Sequence, residues 1–261
     1  MLRAIVLSLL IFMTSPFQAN AEFRVVASIK PVHSLVAAIM KGTGQPDLIL
    51  DGAGSPHSHT LKPSKAKLLA KANIIFWIGP ELETFLQKSI NTIGVSATSV
   101  ELEKLDGLIK LLNRDFEDFE GSSHSADHDH GTNDPHIWLD PDNAKIIAQN
   151  IAATLARADP DNAAIYKTNA DTLLLQLDNL INETDTKLAA VKDRPFLTHH
   201  DAYQYFEARF GLTSKGALIS YSEIVPGARH IAQIIKKLKK LGNICLFTEP
   251  QLSQKLIKSV A

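Results

Sequence analysis

Ten histidines stand in this 261-residue chain, and they are unevenly placed. An imidazole nitrogen is a borderline-soft donor suited to Zn, Cu, Ni or Fe, so grouped histidines are read first as metal ligands. His57 lies in the turn-rich run Gly54-Ser55-Pro56-His57-Ser58-His59-Thr60, His136 in Asp134-Pro135-His136-Ile137-Trp138-Leu139-Asp140-Pro141, and His200 follows an apolar strand candidate at 196–198. Each of the three taken singly also suits helix capping or packing, and the combination is what points to a shared metal. His124, His128 and His130 share the segment 115–134 with Asp127, Asp129 and four further acids ahead of Asp134. Such a composition cannot form a packed core, so a mobile surface loop is expected there. It offers weak, multiple and exchangeable metal sites, with a merely solvated acidic loop as the alternative.

The elements that must position these residues are organised around 161–191. Leu173, Leu177, Leu180, Thr184, Leu188 and Val191 recur at steps of three or four, no Gly or Pro interrupts them, and Pro160 and Pro195 bracket the stretch. That predicts one long helix, roughly 45 Å end to end at 1.5 Å per residue. It is expected to link a first α/β lobe, 22–145, to a second, 195–261, as part of a helical connection at 146–194. The two lobes look related: 73–90 and 243–260 match at seven of eighteen positions, each reading as a short apolar strand, a turn ending in Pro80 or Pro250, and a helix. Further strand-then-helix units at 24–40 and 195–210, with helices at 63–71 and 226–241, predict a parallel sheet in each lobe with helices on its faces. After its matched helix the first half continues into a strand candidate at 97–102 that has no partner in the second, so the second lobe is expected to be incomplete, lacking at least one strand. His57 and His200 fall beyond the carboxyl ends of strands, where open parallel sheets bind ligands, and a metal held by both would sit between the lobes.

Residues 1–21 read as a cleaved secretory signal: Arg3, an apolar core at 4–13, Pro16, and Ala19-Asn20-Ala21 before the expected cleavage. Ten apolar residues are too few for a membrane span, which needs about 20, and no cysteine stands at the cleavage site to carry a lipid. The chain has 27 Lys plus Arg and 28 Asp plus Glu; removing Arg3 leaves a net charge near −2, which gives no reason to expect nucleic acid or an anionic membrane surface as partner. A monomer is expected. Cys245 is the only cysteine, so no internal disulfide can form, and a small buried hydrophobe in a strand at 244–247 is the expected role.

The runs around His57, with Thr60-Leu61-Lys62-Pro63-Ser64, around His136, at His200-Asp201-Ala202-Tyr203-Gln204-Tyr205-Phe206 and at Phe247-Thr248-Glu249-Pro250-Gln251 resemble, in order, the zinc-specific solute-binding proteins of bacterial ABC importers, the ZnuA type. The resemblance covers about 23–261. It implies two α/β lobes joined by one long helix, a Zn2+ ion held between them by His57, His136 and His200, an acidic His-rich loop at 115–134, a periplasmic location and a membrane permease as partner. Related manganese binders carry an acid where His200 stands, which favours zinc here. Ser58-His59 replaces the polar-Tyr pair usual after the first ligand, and His59 is either an extra ligand or a neutral replacement for that ring. Glu249 lies in a matched motif without being a family ligand. The family chain runs on for some tens of residues beyond Ala261, in keeping with the repeat comparison.

The expected function is therefore zinc capture in the periplasm and delivery to an importer, with no bond made or broken. Binding of manganese or another divalent metal by the same family is the near alternative. Zinc hydrolysis is the distant one, since three His and a water also make a catalytic site; it would need a general base, and no His-Glu-x-x-His pair is present.

Overall fold

A computed structural model describes residues 23–52, 54–114, 133–220, 227–242 and 244–250, together with Leu252, Lys255 and Ile257. The signal-sequence candidate and the segment carrying His124, Asp127, His128, Asp129 and His130 lie outside the described residues.

Strands β1 (Val25–Ala27), β2 (Asp47–Leu48), β3 (Ile74–Trp77) and β4 (Thr98–Glu101) form a parallel sheet in the order β2-β1-β3-β4. Helices α1 (Lys30–Ile39), α2 (Pro63–Lys71) and α3 (Thr84–Thr92) make the crossovers. The central strands β1 and β3 read as continuous apolar runs because both faces are covered. Side chains alternate between two cores: Val25, Ala27, Ile74 and Phe76 face one that includes Val36, Ile147 and Tyr166. Val26, Ile75 and Trp77 face the other, against Leu69, Leu86 and Ile90.

A second parallel sheet has strands β5 (Phe196–His200), β6 (Ser214–Ile219) and β7 (Cys245–Phe247) in the order β6-β5-β7, crossed by α6 (Gln204–Phe210) and α7 (Ala228–Leu241). It repeats the β2-β1-β3 order of the first sheet, as the internal match predicts. β6 is the counterpart of β2 and was not read from the sequence, because Lys215 and Gly216 interrupt its apolar run.

Between the sheets run α4 (Pro141–Ala158), a short 3-10 turn at Pro160–Asn162, and α5 (Ala163–Leu188), a helix of 26 residues. The long helix is there, a little shorter than the expected 161–191. Its buried residues, Tyr166, Ala170 and Leu177, stop a little past the midpoint, and Leu180 and, beyond the helix end, Val191 are exposed. α5 packs on α4 and α1, and its Tyr166 and Ala170 join their core.

Cys245 departs from expectation. It is a free, exposed thiol rather than a buried hydrophobe, because β7 is the outer strand of its sheet among the described residues, whereas its counterpart β3 is flanked by β4 and fully buried.

Candidate metal centre

Three separate structural units bring His57, His136 and His200 together. His57 is held in the loop that follows β2, where its backbone N–H donates to Ser55 Oγ at 3.1 Å. His136 immediately precedes a 3-10 turn, Ile137–Leu139, that leads into α4; Asp140 caps α4 by accepting from Asp142 N at 2.9 Å, and Pro141 suits the first helical position. His200 is the last residue of β5, at the carboxyl edge of the second sheet.

The three rings make a nearly equilateral triangle, with centroids 5.4 Å (His57–His136), 5.5 Å (His57–His200) and 5.1 Å (His136–His200) apart. One ligand nitrogen from each lies within 4.8 Å of the others, and this is the group of three that could hold a metal ion among the described residues. Nε2 of His57 and Nε2 of His136 are 3.3 Å apart. Two nitrogens on one tetrahedral zinc, each bonded at about 2.0–2.1 Å, would be about 3.3–3.4 Å apart, so this edge already has the spacing of a zinc tetrahedron.

Protonation is arranged to match. His136 Nδ1 donates to Asp134 Oδ1 at 2.7 Å, which fixes the tautomer and leaves the Nε2 lone pair facing His57. Burial, and then the neighbouring imidazoles, push the His57 pKa down to about 3. Burial likewise lowers that of His136, against the pull of Asp134. Both rings are neutral at pH 7, as a metal ligand must be. The rings open on a cavity of about 340 Å³ whose lining also includes Trp138, Tyr203 and Glu249.

His59 is not brought to this cluster. Its ring meets Phe85 edge to face at 5.0 Å, a packing role. His199, adjacent to His200 in β5, is buried outside the group of three, and His33 Nε2 bonds Pro46 O at 3.0 Å.

Sequence reasoning did not find the residues that join the two halves behind the site. Arg114 pairs with both Asp201 and Glu207. Tyr205 Oη accepts from Leu111 N at 3.0 Å and donates to Asp134 O at 2.8 Å, and Arg209 grips both carboxylate oxygens of Asp140 at 2.7 and 2.8 Å. All three ties run from α6 and the residues just before it to the segments flanking His136. Their partners are 69 to 94 residues away in sequence, and no local pattern encodes such pairs.

Imidazoles converging from the loop after β2, the turn before α4 and the edge of the second sheet make this an α/β protein with a group that could hold a metal ion. Comparison with known proteins narrows the class. The profile of the family described as zinc-uptake complex component A, periplasmic (ZnuA) matches residues 25–261. The high-affinity zinc uptake system protein ZnuA of Brucella abortus (strain 2308) is 46% identical over 264 residues, covering 90% of this chain and 79% of that protein. The protein of the same description from Yersinia pestis is 32% identical, covering 100% of this chain and 85% of its own length. A solved structure, described as the crystal structure of ZnuA, superposes with a TM-score of 0.76 at 22% identity over 92% of this chain and 88% of that one, which is a likeness of fold. The chain belongs to the ZnuA family of periplasmic zinc-uptake components.

Proposed function

We propose that this protein captures zinc with high affinity in the periplasm and hands it to the permease of an ABC-type importer. The observation that carries the reading is the three-imidazole cluster, with its 3.3 Å nitrogen-to-nitrogen edge between His57 and His136. In this reading His57, His136 and His200 take three tetrahedral positions and water or a nearby carboxylate takes the fourth. An all-nitrogen set at these three positions favours zinc over the harder manganese ion, which prefers carboxylate oxygen. The family is one of binding proteins, and the role involves no bond making or breaking. Nanomolar capture corresponds to about 12 kcal/mol, more than an irregular loop supplies, so the tight site is assigned to the three histidines. His124, Asp127, His128, Asp129 and His130 are assigned a collecting role that raises zinc near it.

The test is equilibrium competition of residues 22–261 against a calibrated chelator, for Zn and Mn, with His200→Ala alongside. The expected result is one tight zinc site, absent from His200→Ala and blind to manganese. Weak zinc binding alone, or equal affinity for manganese, would overturn the reading. Deleting 121–131 should remove weak sites and leave the tight one; loss of the tight site would refute the division of roles.

A further inference from the structure

A zinc ion held by three neutral imidazoles carries its full double charge into a pocket lined largely by Pro, Leu, Ile, Trp and Tyr side chains. In a region of low dielectric such a charge needs compensating anions close by. One is already in place as Asp134, behind His136. A second carboxylate lines the cavity: Glu249, in the turn after β7, with its Oε2 3.6 Å from Nδ1 of His200 and its side chain 10% exposed.

Sheet register is what puts it there. β5 and β7 are parallel, with Phe196 beside Cys245, Leu197 beside Leu246 and Thr198 beside Phe247. Continued by two residues, the same register sets His200 beside Glu249. Because side chains alternate along a strand, both then leave the sheet edge on the same side as Thr198 and Phe247. The pairing is therefore built into the backbone rather than into one rotamer. Glu249 is not among the ligand atoms that converge with the three histidines, so it stands behind a ligand and not beside it.

We propose that Glu249 is a positioning residue for zinc capture: its carboxylate accepts from His200 Nδ1–H in the loaded protein, presenting Nε2 to the ion, as Asp134 does for His136. The inference rests on the zinc-capture reading above. Asp134 and Glu249 set one carboxylate from each half of the chain behind a ligating ring. The loss of the Glu249 charge should act on metal affinity rather than on folding.

The experiment compares wild type, Glu249→Gln and Glu249→Asp. Each is titrated with zinc against a chelator, its metal-free thermal unfolding is recorded, and its visible spectrum is taken with Co2+ in place of Zn2+. Glu249→Gln keeps the shape and removes the charge. It should weaken zinc binding by about 10- to 100-fold, the usual effect of losing the outer partner of a ligating histidine, with metal-free unfolding unchanged. Glu249→Asp should recover part of that loss. Retention of tetrahedral cobalt bands in Glu249→Gln is expected. Wild-type zinc affinity in Glu249→Gln would overturn the proposal, as would a change of cobalt coordination number, which would make Glu249 a direct ligand. Failure of wild type itself to bind zinc tightly would instead overturn the function on which the proposal rests, so the two failures are separable.

Discussion

Asp134 holds His136 twice with one oxygen: Oδ1 accepts from the ring Nδ1 at 2.7 Å and from the backbone N–H of the same residue at 2.9 Å. Both groups are almost completely buried. The ring therefore cannot turn without breaking a charge-assisted bond between two buried groups. Asp134→Ala should weaken zinc binding by about 100-fold, and Asp134→Asn, which keeps an accepting oxygen but not the charge, by about 10-fold. Chelator competition measures both. Equal, wild-type affinities in the two variants would show that the ring is held by packing alone.

The pH dependence of capture follows from the sign of the histidine shifts. His57 titrates near 3 and His136 below its ordinary value, whereas in the unfolded chain both take up protons near 6.5. Below pH 6.5 the unfolded state therefore binds protons that the folded state refuses, and the metal-free protein loses stability as pH falls from 6.5 toward 3. In the folded site, zinc meets little proton competition from His57 over most of that range, and less from His136 than from an ordinary imidazole. Three ordinary imidazoles would cost about a thousandfold in affinity between pH 7.5 and 5.5; a clearly smaller loss is expected here, since His57 stays neutral throughout and His136 is shifted in the same direction. Competition titrations at those two pH values decide it, and a loss near a thousandfold would mean that the rings titrate as if exposed.

Arg114 neutralises two carboxylates that are otherwise buried, with the Asp201 side chain 3% and that of Glu207 5% exposed. Even with the guanidinium in place, burial holds the Asp201 pKa up at about 6. Arg114→Ala leaves both acids facing the interior, and breaking a buried pair in this way costs about 3–5 kcal/mol. Since the Asp201 carboxyl is raised above its unfolded value, its proton is held by the folded state between about pH 4 and 6, and stability is lost as pH rises through that window. The deficit of Arg114→Ala, read by urea unfolding, should accordingly be smaller at pH 5 than at pH 7.5. A deficit that does not change with pH would place its origin in lost packing by the arginine stem.

How much of this was legible beforehand differs residue by residue. His57, His136 and His200, which the structure brings together, could be singled out because residue type is local: a histidine in a turn or at a strand end can be seen in the chain itself. The first sheet and the long helix were found because burial on both faces, and then a 3.6-residue stripe, leave a periodic mark. Asp134 stood in the same motif as His136, yet its role depends on a side chain folding back two residues, which composition does not show. Glu249 becomes meaningful only through the register of β5 against β7, and register between strands 45 residues apart is a tertiary fact, as is the reach of Arg114 to Asp201 and Glu207.

Cys245 gives a direct check on the edge position of β7. An exposed thiol on an outer strand should react with a maleimide in the native protein at close to one equivalent, without denaturant. The thiol also lines an apolar cavity of about 510 Å³ with Phe196, Phe206, Leu212 and Phe247, so a compact reagent should outpace a bulky one. Absence of labelling until the protein is unfolded would mean that β7 is covered in solution.

Tyr205 is the test of whether the ties from α6 matter to the metal centre or only to stability. Its hydroxyl bridges Leu111 N and Asp134 O, so Tyr205→Phe removes one hydroxyl and leaves two backbone groups, one of them buried with Asp134, without that partner. An orphaned buried group costs about 1–3 kcal/mol, so unfolding should occur at lower urea. The ring itself stays in the core of the first sheet, where it packs with Ile137 and Leu102, so the fold survives the change. Asp134 then loses one of the restraints on its backbone while keeping its bonds to His136. Zinc affinity should fall by only a few-fold, far less than in Asp134→Ala. A loss as large as that of Asp134→Ala would show that the α6 ties set the geometry of His136, and that the two halves of the chain cannot separate without releasing the ion.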